Sequence, residues 1–420
     1  MKRLILFLIA GLAFSAGAKA QDAESFLSEA ARNSPELKAV YARFEASMQR
    51  ITQAKAWDDP KLSFGYFISP IETRVGAQQA KLSLSQTFPW FGTYALKEKV
   101  AAEQAEADFQ RFIQARNQLF FEVRSKYYEL QEWKAKGEWI REQIAVLERY
   151  KSLITAKYSG AEGKLVDVLR VDLRLENRQT ELEVLKAQWP SLRNGFNRLL
   201  NREGDPEIEL PEVLAEIPEG VLSNDTLSFK HNPMLGETAH MKNRAETEER
   251  LAKKQGMPKF GVGMDYAFID KREGMPDLKD NGKNAFMPMV TLSLPIFRKK
   301  YKAMQIEAEK KREYWEYRNE SISNSLSTEL SEAQYGMVRA EEQNALYQNQ
   351  IGQLGRMLRL QLADYSATGK DFVEVLRLQE KELAYRIMTE EAKRNYWTAK
   401  AKMDLVRGTD SKDYKDEKRK

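Results

Sequence analysis

No cysteine occurs anywhere in the 420 residues. That removes disulfides, thiolate chemistry and cysteine metal sites, and with them the lipidated cysteine that tethers a lipoprotein. Histidine is nearly as scarce: His231 and His240 stand nine apart, outside any HExxH frame, too few imidazoles for a zinc centre. There is no GxSxG elbow, phosphate loop or dinucleotide fingerprint, so the expectation is a protein that is not an enzyme and uses no cofactor or metal. Excess charge of one sign is lacking too. Lys and Arg total 67 against 62 Asp and Glu, interleaved along the chain, whereas nucleic-acid binding needs a concentrated basic surface. Past the first 20 residues no run of 18 apolar residues appears, so no transmembrane helix is available and any membrane crossing falls to β-strands.

What is present begins with a basic start (Lys2, Arg3), an apolar run to about Gly17 and Ala18-Lys19-Ala20, which together read as a signal peptide over residues 1–20. The alternative is a retained N-terminal anchor helix. Removal of the segment leaves 64 cations against 62 anions, a nearly neutral exported chain.

The rest of the chain is written twice. Asn33-Ser34-Pro35, Pro60-Lys61-Leu62 and Leu82-Ser83-Leu84 are answered by His231-Asn232-Pro233, Pro258-Lys259-Phe260 and Leu292-Ser293-Leu294. Pro35 to Pro60 and Pro233 to Pro258 are both 25 residues, an offset of 198. A later anchor, Tyr158-Ser159, Gly163-Lys164 and Val166-Asp167-Val168-Leu169-Arg170, returns as Tyr365-Ser366, Gly369-Lys370 and Val373-Glu374-Val375-Leu376-Arg377. Ordered anchors of this kind mark a duplication, with one structural repeat over 21–201, a connector over 202–221, a second repeat over 222–407 and a charged tail over 408–420.

Within each repeat the texture changes twice. Residues 93–158 lack proline, and their apolar positions recur with a mean step near 3.5, which predicts one long coiled-coil-like helix; 298–365 repeats it. At about 1.5 Å per residue each would reach roughly 100 Å, too long for an ordinary globular core. Shorter helices are predicted over 35–57, 164–201, 233–255 and 370–407, giving four helical columns per chain. Between helices the period drops to two: strands over 61–69 and 79–88, then 259–269 and 286–294, with Leu62, Phe64 and Tyr66 alternating with Lys61, Ser63 and Gly65. Segments of about 9–11 residues with one apolar and one wet face suit tilted membrane strands; a half-buried soluble sheet gives the same alternation. Phe88, Trp90 and Phe91, with Phe297 in the second repeat, cluster at one end as interfacial aromatics do. Four strands cannot close a barrel, whereas three copies supply 12 strands and 12 columns. The segment 270–284 reads as an extracellular loop, longer than its partner near 70–77.

These duplicated helix starts, Pro-bounded strand pairs and Tyr-Ser, Gly-Lys, Val-x-Val-Leu tips resemble the TolC family of outer-membrane efflux proteins over essentially the whole mature chain. Thr87-Phe88-Pro89-Trp90-Phe91-Gly92 is similar to the cation-efflux branch. The resemblance implies a mainly α chain with a β part: a homotrimer whose 12-stranded β-barrel sits in the lipid of a Gram-negative outer membrane, continuous with a periplasmic α-helical coiled-coil barrel; the absence of cysteine adds the expectation of no lipid anchor. It also implies docking to a periplasmic membrane-fusion adaptor and, through it, an inner-membrane pump, with the RND type favoured, to export small molecules or metal cations. A type I protein-secretion exit channel is the alternative within this architecture, and a soluble periplasmic coiled-coil scaffold the alternative outside it.

The resemblance places a periplasmic gate at the tips. Glu374 occupies the first acidic position of the family pattern, but Arg377 stands where a second acid is expected, which puts a ring of negative charge in doubt. Glu374 with Arg377, and Asp167 with Arg170, are spaced to pair on a helix; the bland alternative is ordinary solvated charge. Ser159, Gly160, Gly163, Lys164, Ser366, Thr368, Gly369 and Lys370 are the expected adaptor contact, with glycines where the chain reverses. Seven of 14 methionines lie between Met234 and Met289; thioethers can bind Cu(I), but Met264, Met287 and Met289 are read as packing residues of their strands.

Overall fold

The structure is a computed structural model that describes residues 23–210, 214–218, 228–275, 277–369 and 371–409. The expected signal peptide, most of the expected tail, Lys370 and part of the connector lie outside the described residues. Helices α1 (Ala23–Asn33) and α2 (Pro35–Lys55) lead to strands β1 (Lys61–Thr73) and β2 (Gly76–Phe88), then to α3 (Thr93–Ser159) and α4 (Leu165–Leu199). The second repeat runs α5 (Pro233–Gln255), β3 (Lys259–Ile269), β4 (Ala285–Ser293), α6 (Arg298–Thr368) and α7 (Phe372–Arg407). The described residues fall into two compact units, one from the stretches 23–35, 116–210, 214–218, 228, 329–369 and 371–409, the other from 36–115, 229–275 and 277–328.

The first unit is helical. Its apolar stripes meet in clusters, a small one of Ile140 with Leu182 and Leu185 and two larger ones. Phe26, Leu27 and Ala30 of α1 pack with Val123, Tyr127 and Leu130 of α3 and Phe196 of α4. Ile154 and Leu147 pack with Val171 of α4, Leu354 and Tyr365 of α6 and Phe372 and Val375 of α7. Helix α1 is an element absent from the sequence expectation; the spacing of its three buried residues gives it one apolar face. The described part of the connector is tied to this unit, where Trp397 Nε1 donates to Ala215 O at 2.9 Å and Lys134 Nζ to Leu210 O at 3.1 Å.

The second unit carries the sheet, in the order β1-β2-β3-β4 with every pair antiparallel. Helix α5 starts where the sequence provides a cap: Asn232 accepts from Met234 N at 2.9 Å, and Pro233, which has no N–H to leave unpaired, takes the first helical position. The expected loop near 70–77 is strand instead, and the chain turns at residues 74 and 75, with Thr73 opposite Gly76. Pro70 accounts for the misreading: unable to donate to a ladder, it sits inside the register shift between Tyr66 and Ile71, and the strand resumes beyond it. The 270–284 segment is a loop, held by Asn281, which accepts from Arg272 N at 2.7 Å and donates to Met275 O at 3.0 Å. Among the described residues no helix is long and apolar enough to cross a membrane.

Candidate functional site

In the second unit the register sorts side chains by face. Leu62, Leu84, Met264 and Pro288 fall in one row, Phe64, Leu82, Tyr266 and Phe286 in another; these rows form an apolar face that is open, Phe64 being 66% and Val290 82% exposed. Each such side chain left in water forgoes roughly 1.5–3 kcal/mol relative to burial, so a face of this extent calls for lipid or another subunit. The opposite face carries Ser63, Ser83 and Asp265 in one row and Gly65, Lys81 and Ala267 in the next. Asp265 is buried there and pairs with Lys81. Crowding explains two of its glycines: a Cβ on Gly261 would meet Thr291 Oγ1 at 2.1 Å, and one on Gly263 would meet Leu84 O at 3.0 Å, whereas Gly65 has open space around it. The wet face is therefore close-packed around Gly261 and Gly263 and open at Gly65.

The aromatic cluster closes one end of the sheet. Trp90 stacks on Phe260 with centroids 5.5 Å apart, and Phe91 lies 5.9 Å from Phe260. Trp57, overlooked in the sequence although it stands just before β1, meets Phe88 edge-on at 5.6 Å. Trp57, Phe91 and Phe297 are largely exposed. Met264 belongs to the apolar face, and Met287 and Met289 face the other way, opposite Asp265 and Gly263. Among the described residues no three His, Asp or Glu side chains gather as a metal site.

In the first unit the two tips abut. Lys157 Nζ donates to Tyr365 O at 3.2 Å and Ser366 O at 3.0 Å and lies 5.0 Å from the Tyr365 ring centroid. A Cβ on Gly369 would lie 3.2 Å from Glu162 O. Nothing in the sequence around Lys157 marked it as a bridge. Burial, followed by the Asp167 carboxylate, pushes the Tyr365 phenol above its usual range. Arg377 Nε lies 3.3 Å from Glu374 Oε2, and Arg170 Nη1 lies 3.0 Å from Asp167 Oδ1. Asp167 is buried, whereas Arg377 remains 62% exposed. Arg174 Nη1 adds a contact between α4 and α7, 2.7 Å from Glu380 Oε1.

The reversals differ from a simple glycine turn. Gly369 has φ +67° and closes α6 by donating to Tyr365 O at 2.9 Å, a left-handed helix end that favours glycine. In the first tip the left-handed residue is Ala161, at φ 63°. Gly163 is needed for closeness instead, since a Cβ would lie 2.9 Å from Tyr158 N, and around Gly160 nothing approaches within 3.4 Å. Ser159, Ser366 and Thr368 turn their hydroxyls back onto Thr155, Leu362 and Asp364 carbonyls, and Lys164 takes an extended backbone before α4.

Residues 26–202 match the outer membrane efflux protein family. No curated protein sequence matches the chain. Among solved structures, the outer membrane protein VceC of Vibrio cholerae is similar with a TM-score of 0.73 at 16% identity, over 92% of this chain and 96% of that one. CusC, whose crystal structures concern folding and transmembrane channel formation, gives 0.74 at 15% identity over 92% of each chain. The Campylobacter jejuni CmeC outer membrane channel gives 0.71 at 12% identity, over 94% of this chain and 90% of that one. At such identities the structural likeness is one of fold. Residues 26–202 are thus similar in sequence to the outer membrane efflux protein family, and over 92% of its length the chain shares the fold of VceC and CusC.

Proposed function

We propose that this chain is one of three identical subunits of an outer-membrane export duct, fed by an inner-membrane pump of the RND type through a periplasmic adaptor. The observation that carries the reading is the sheet, with an open apolar face, an opposite face that carries the Lys81–Asp265 pair, and no strand of the chain beyond β1 or β4 among the described residues. Strand directions alternate from β1 to β4, so β4 of one copy can accept β1 of the next in antiparallel fashion. Three copies then close a 12-stranded barrel whose apolar faces meet lipid. The same open face disfavours the soluble scaffold.

A duct works by geometry and charge and makes no covalent bonds. In this reading the wet face lines the pore, and the abutting tips constrict it, with Glu374–Arg377 and Asp167–Arg170 as the charged pairs of the gate. Ser159, Gly160, Gly163, Lys164, Ser366, Thr368, Gly369 and Lys370 form the adaptor's landing surface. Small molecules or metal cations are the cargo, selected mainly by the pump. The test is cell fractionation followed by mass in detergent and planar-bilayer recording. A membrane-extracted particle of three chains that conducts ions is the expected result; a monomer soluble without detergent would overturn it.

A further inference from the structure

We infer that the foot of the sheet holds a binding pocket for the phosphate of an anionic lipid headgroup. The pocket, of about 280 Å³, is bounded by the end of α5, the starts of α3, β3 and α6, and the residues on either side of the β1–β2 hairpin's base. Its size falls just under that of sites for drug-sized solutes, about 300–1,000 Å³, and suits a headgroup. Lys97, Lys254, Lys259 and Lys300 all line it, against a single carboxylate, Asp58. These lysines come from four separate elements, so the concentration of charge is made by the fold and not by one basic run.

Two further observations point to a phosphate-bearing ligand from the membrane. The first is charge without a counter-ion. None of the four lysines has an ion-pair partner among the described residues, in a chain whose charges otherwise pair extensively. The neighbourhood adds to the imbalance: 254–259 and 298–302 contain Lys254, Lys259, Arg298, Lys299, Lys300 and Lys302 without one acidic residue. The second is position. Trp90 is part of both the pocket wall and the aromatic cluster, where it stacks on Phe260, and Phe91, Phe297 and Ile296 nearby are more than 70% exposed. Exposed aromatics of this kind sit at headgroup depth, and basic pockets at that depth attract anionic headgroups. Tyr301 and Met257 supply an apolar wall for the glycerol carbons.

The inference rests on the membrane reading of the sheet, and the experiment separates the two. The detergent-solubilised assembly is titrated with short-chain phosphatidylglycerol, short-chain phosphatidylcholine and inorganic phosphate, with adducts read by native mass spectrometry. Wild type is expected to retain phosphatidylglycerol in preference to phosphatidylcholine. Lys97→Gln, Lys254→Gln and Lys300→Gln combined should weaken retention about tenfold or more, since each basic side chain near a headgroup contributes separately. Lys279→Gln with Lys283→Gln, in the 270–284 loop, should leave it unchanged. Equal retention of the two lipids, an unaffected triple variant, or an equal loss in the loop variant would overturn the pocket. Saturation by inorganic phosphate at the same concentration would overturn the lipid assignment in favour of a soluble anion. A protein that stays in solution without detergent would instead overturn the membrane reading itself.

Discussion

Replacing Lys157 with methionine keeps the length of the side chain and removes its charge, and the structure sets the size of the effect. The ammonium donates to two carbonyls, Tyr365 O and Ser366 O, at 3.2 and 3.0 Å. Both belong to the last turn of α6, where a cation is favoured by the helix dipole and where Tyr365 O has Gly369 N–H as a backbone donor beside the ammonium. A hydrogen bond to a charged group contributes about 1.5–3 kcal/mol, and the dipole roughly 0.3–1 kcal/mol. Against these stand the partial exposure of Lys157 and a side-chain entropy cost of up to about 2 kcal/mol. The net is about 1–2 kcal/mol, or roughly a 5- to 30-fold change in a local opening equilibrium. Hydrogen exchange reads it directly, because Gly369 N–H is bonded to the same Tyr365 carbonyl. Amides over 362–369 should lose protection by that factor in Lys157→Met. Lys126→Met, which breaks only an exposed pair with Glu129, should not change them. Unchanged exchange at Gly369 would refute the tether, and a loss spread evenly over the chain would show general destabilisation instead.

Other expectations follow from the same geometry. Glu374→Ala with Arg377→Ala removes a pair whose arginine is 62% exposed; such pairs contribute about 0–1 kcal/mol, so single-channel recordings should show at most about a fivefold rise in open-state occupancy, and no rise would remove both residues from the gate. Asp108 is buried, which alone would raise its carboxyl, but hydrogen bonds from Ser47 and Gln104 and the charges of Arg43 and Arg111 outweigh this and hold it below the usual range. A carboxyl depressed on folding adds stability above its unfolded value, near 3.9, and that stability is lost as pH falls through the lower folded value. Asp108→Asn should therefore cost about 1–3 kcal/mol at pH 7 in denaturant titrations, and the difference from wild type should shrink below about pH 4; a constant difference would refute the assignment. Leu84→Arg on the apolar face should cost up to about 2–4 kcal/mol and reduce membrane-inserted protein, while Ser63→Arg, at an exposed position of the wet face, should leave insertion intact; equal effects would refute the two-faced sheet.

The elements most legible in the sequence were those with long periods. The 3.5-residue pattern carried α3 and α6 almost to their ends, because each buried position is repeated many times over. The alternation likewise located β3 and β4 to within a residue. Local chemistry misled where one residue had two meanings. Pro70 looked like a loop and is a strand irregularity, since an edge strand can spare a donor. Gly163 at the Gly-Lys step reads as the turn residue, while the left-handed position falls to Ala161. Helix α1 was overlooked because a short stripe of three apolar residues carries little statistical weight beside an adjoining export signal. The Lys157 bridge and the Lys81–Asp265 pair join residues 208 and 184 positions apart in the chain. No local pattern encodes such a contact; only the packed repeats bring the partners together.

The open flanks of the sheet have a consequence for biogenesis. Outside β1 and β4 the backbone of a lone subunit presents donors and acceptors that water can satisfy but lipid cannot. A single copy entering the bilayer would carry two such flanks into hydrocarbon, at several kcal/mol for each group left unsatisfied. In the proposed barrel, insertion and association would therefore be one step for this sheet, and the waiting subunit a sticky species whose lifetime depends on meeting its own kind. Expression level then acts as a folding variable: too few copies leave flanks exposed longer, and too many allow strands to pair out of order.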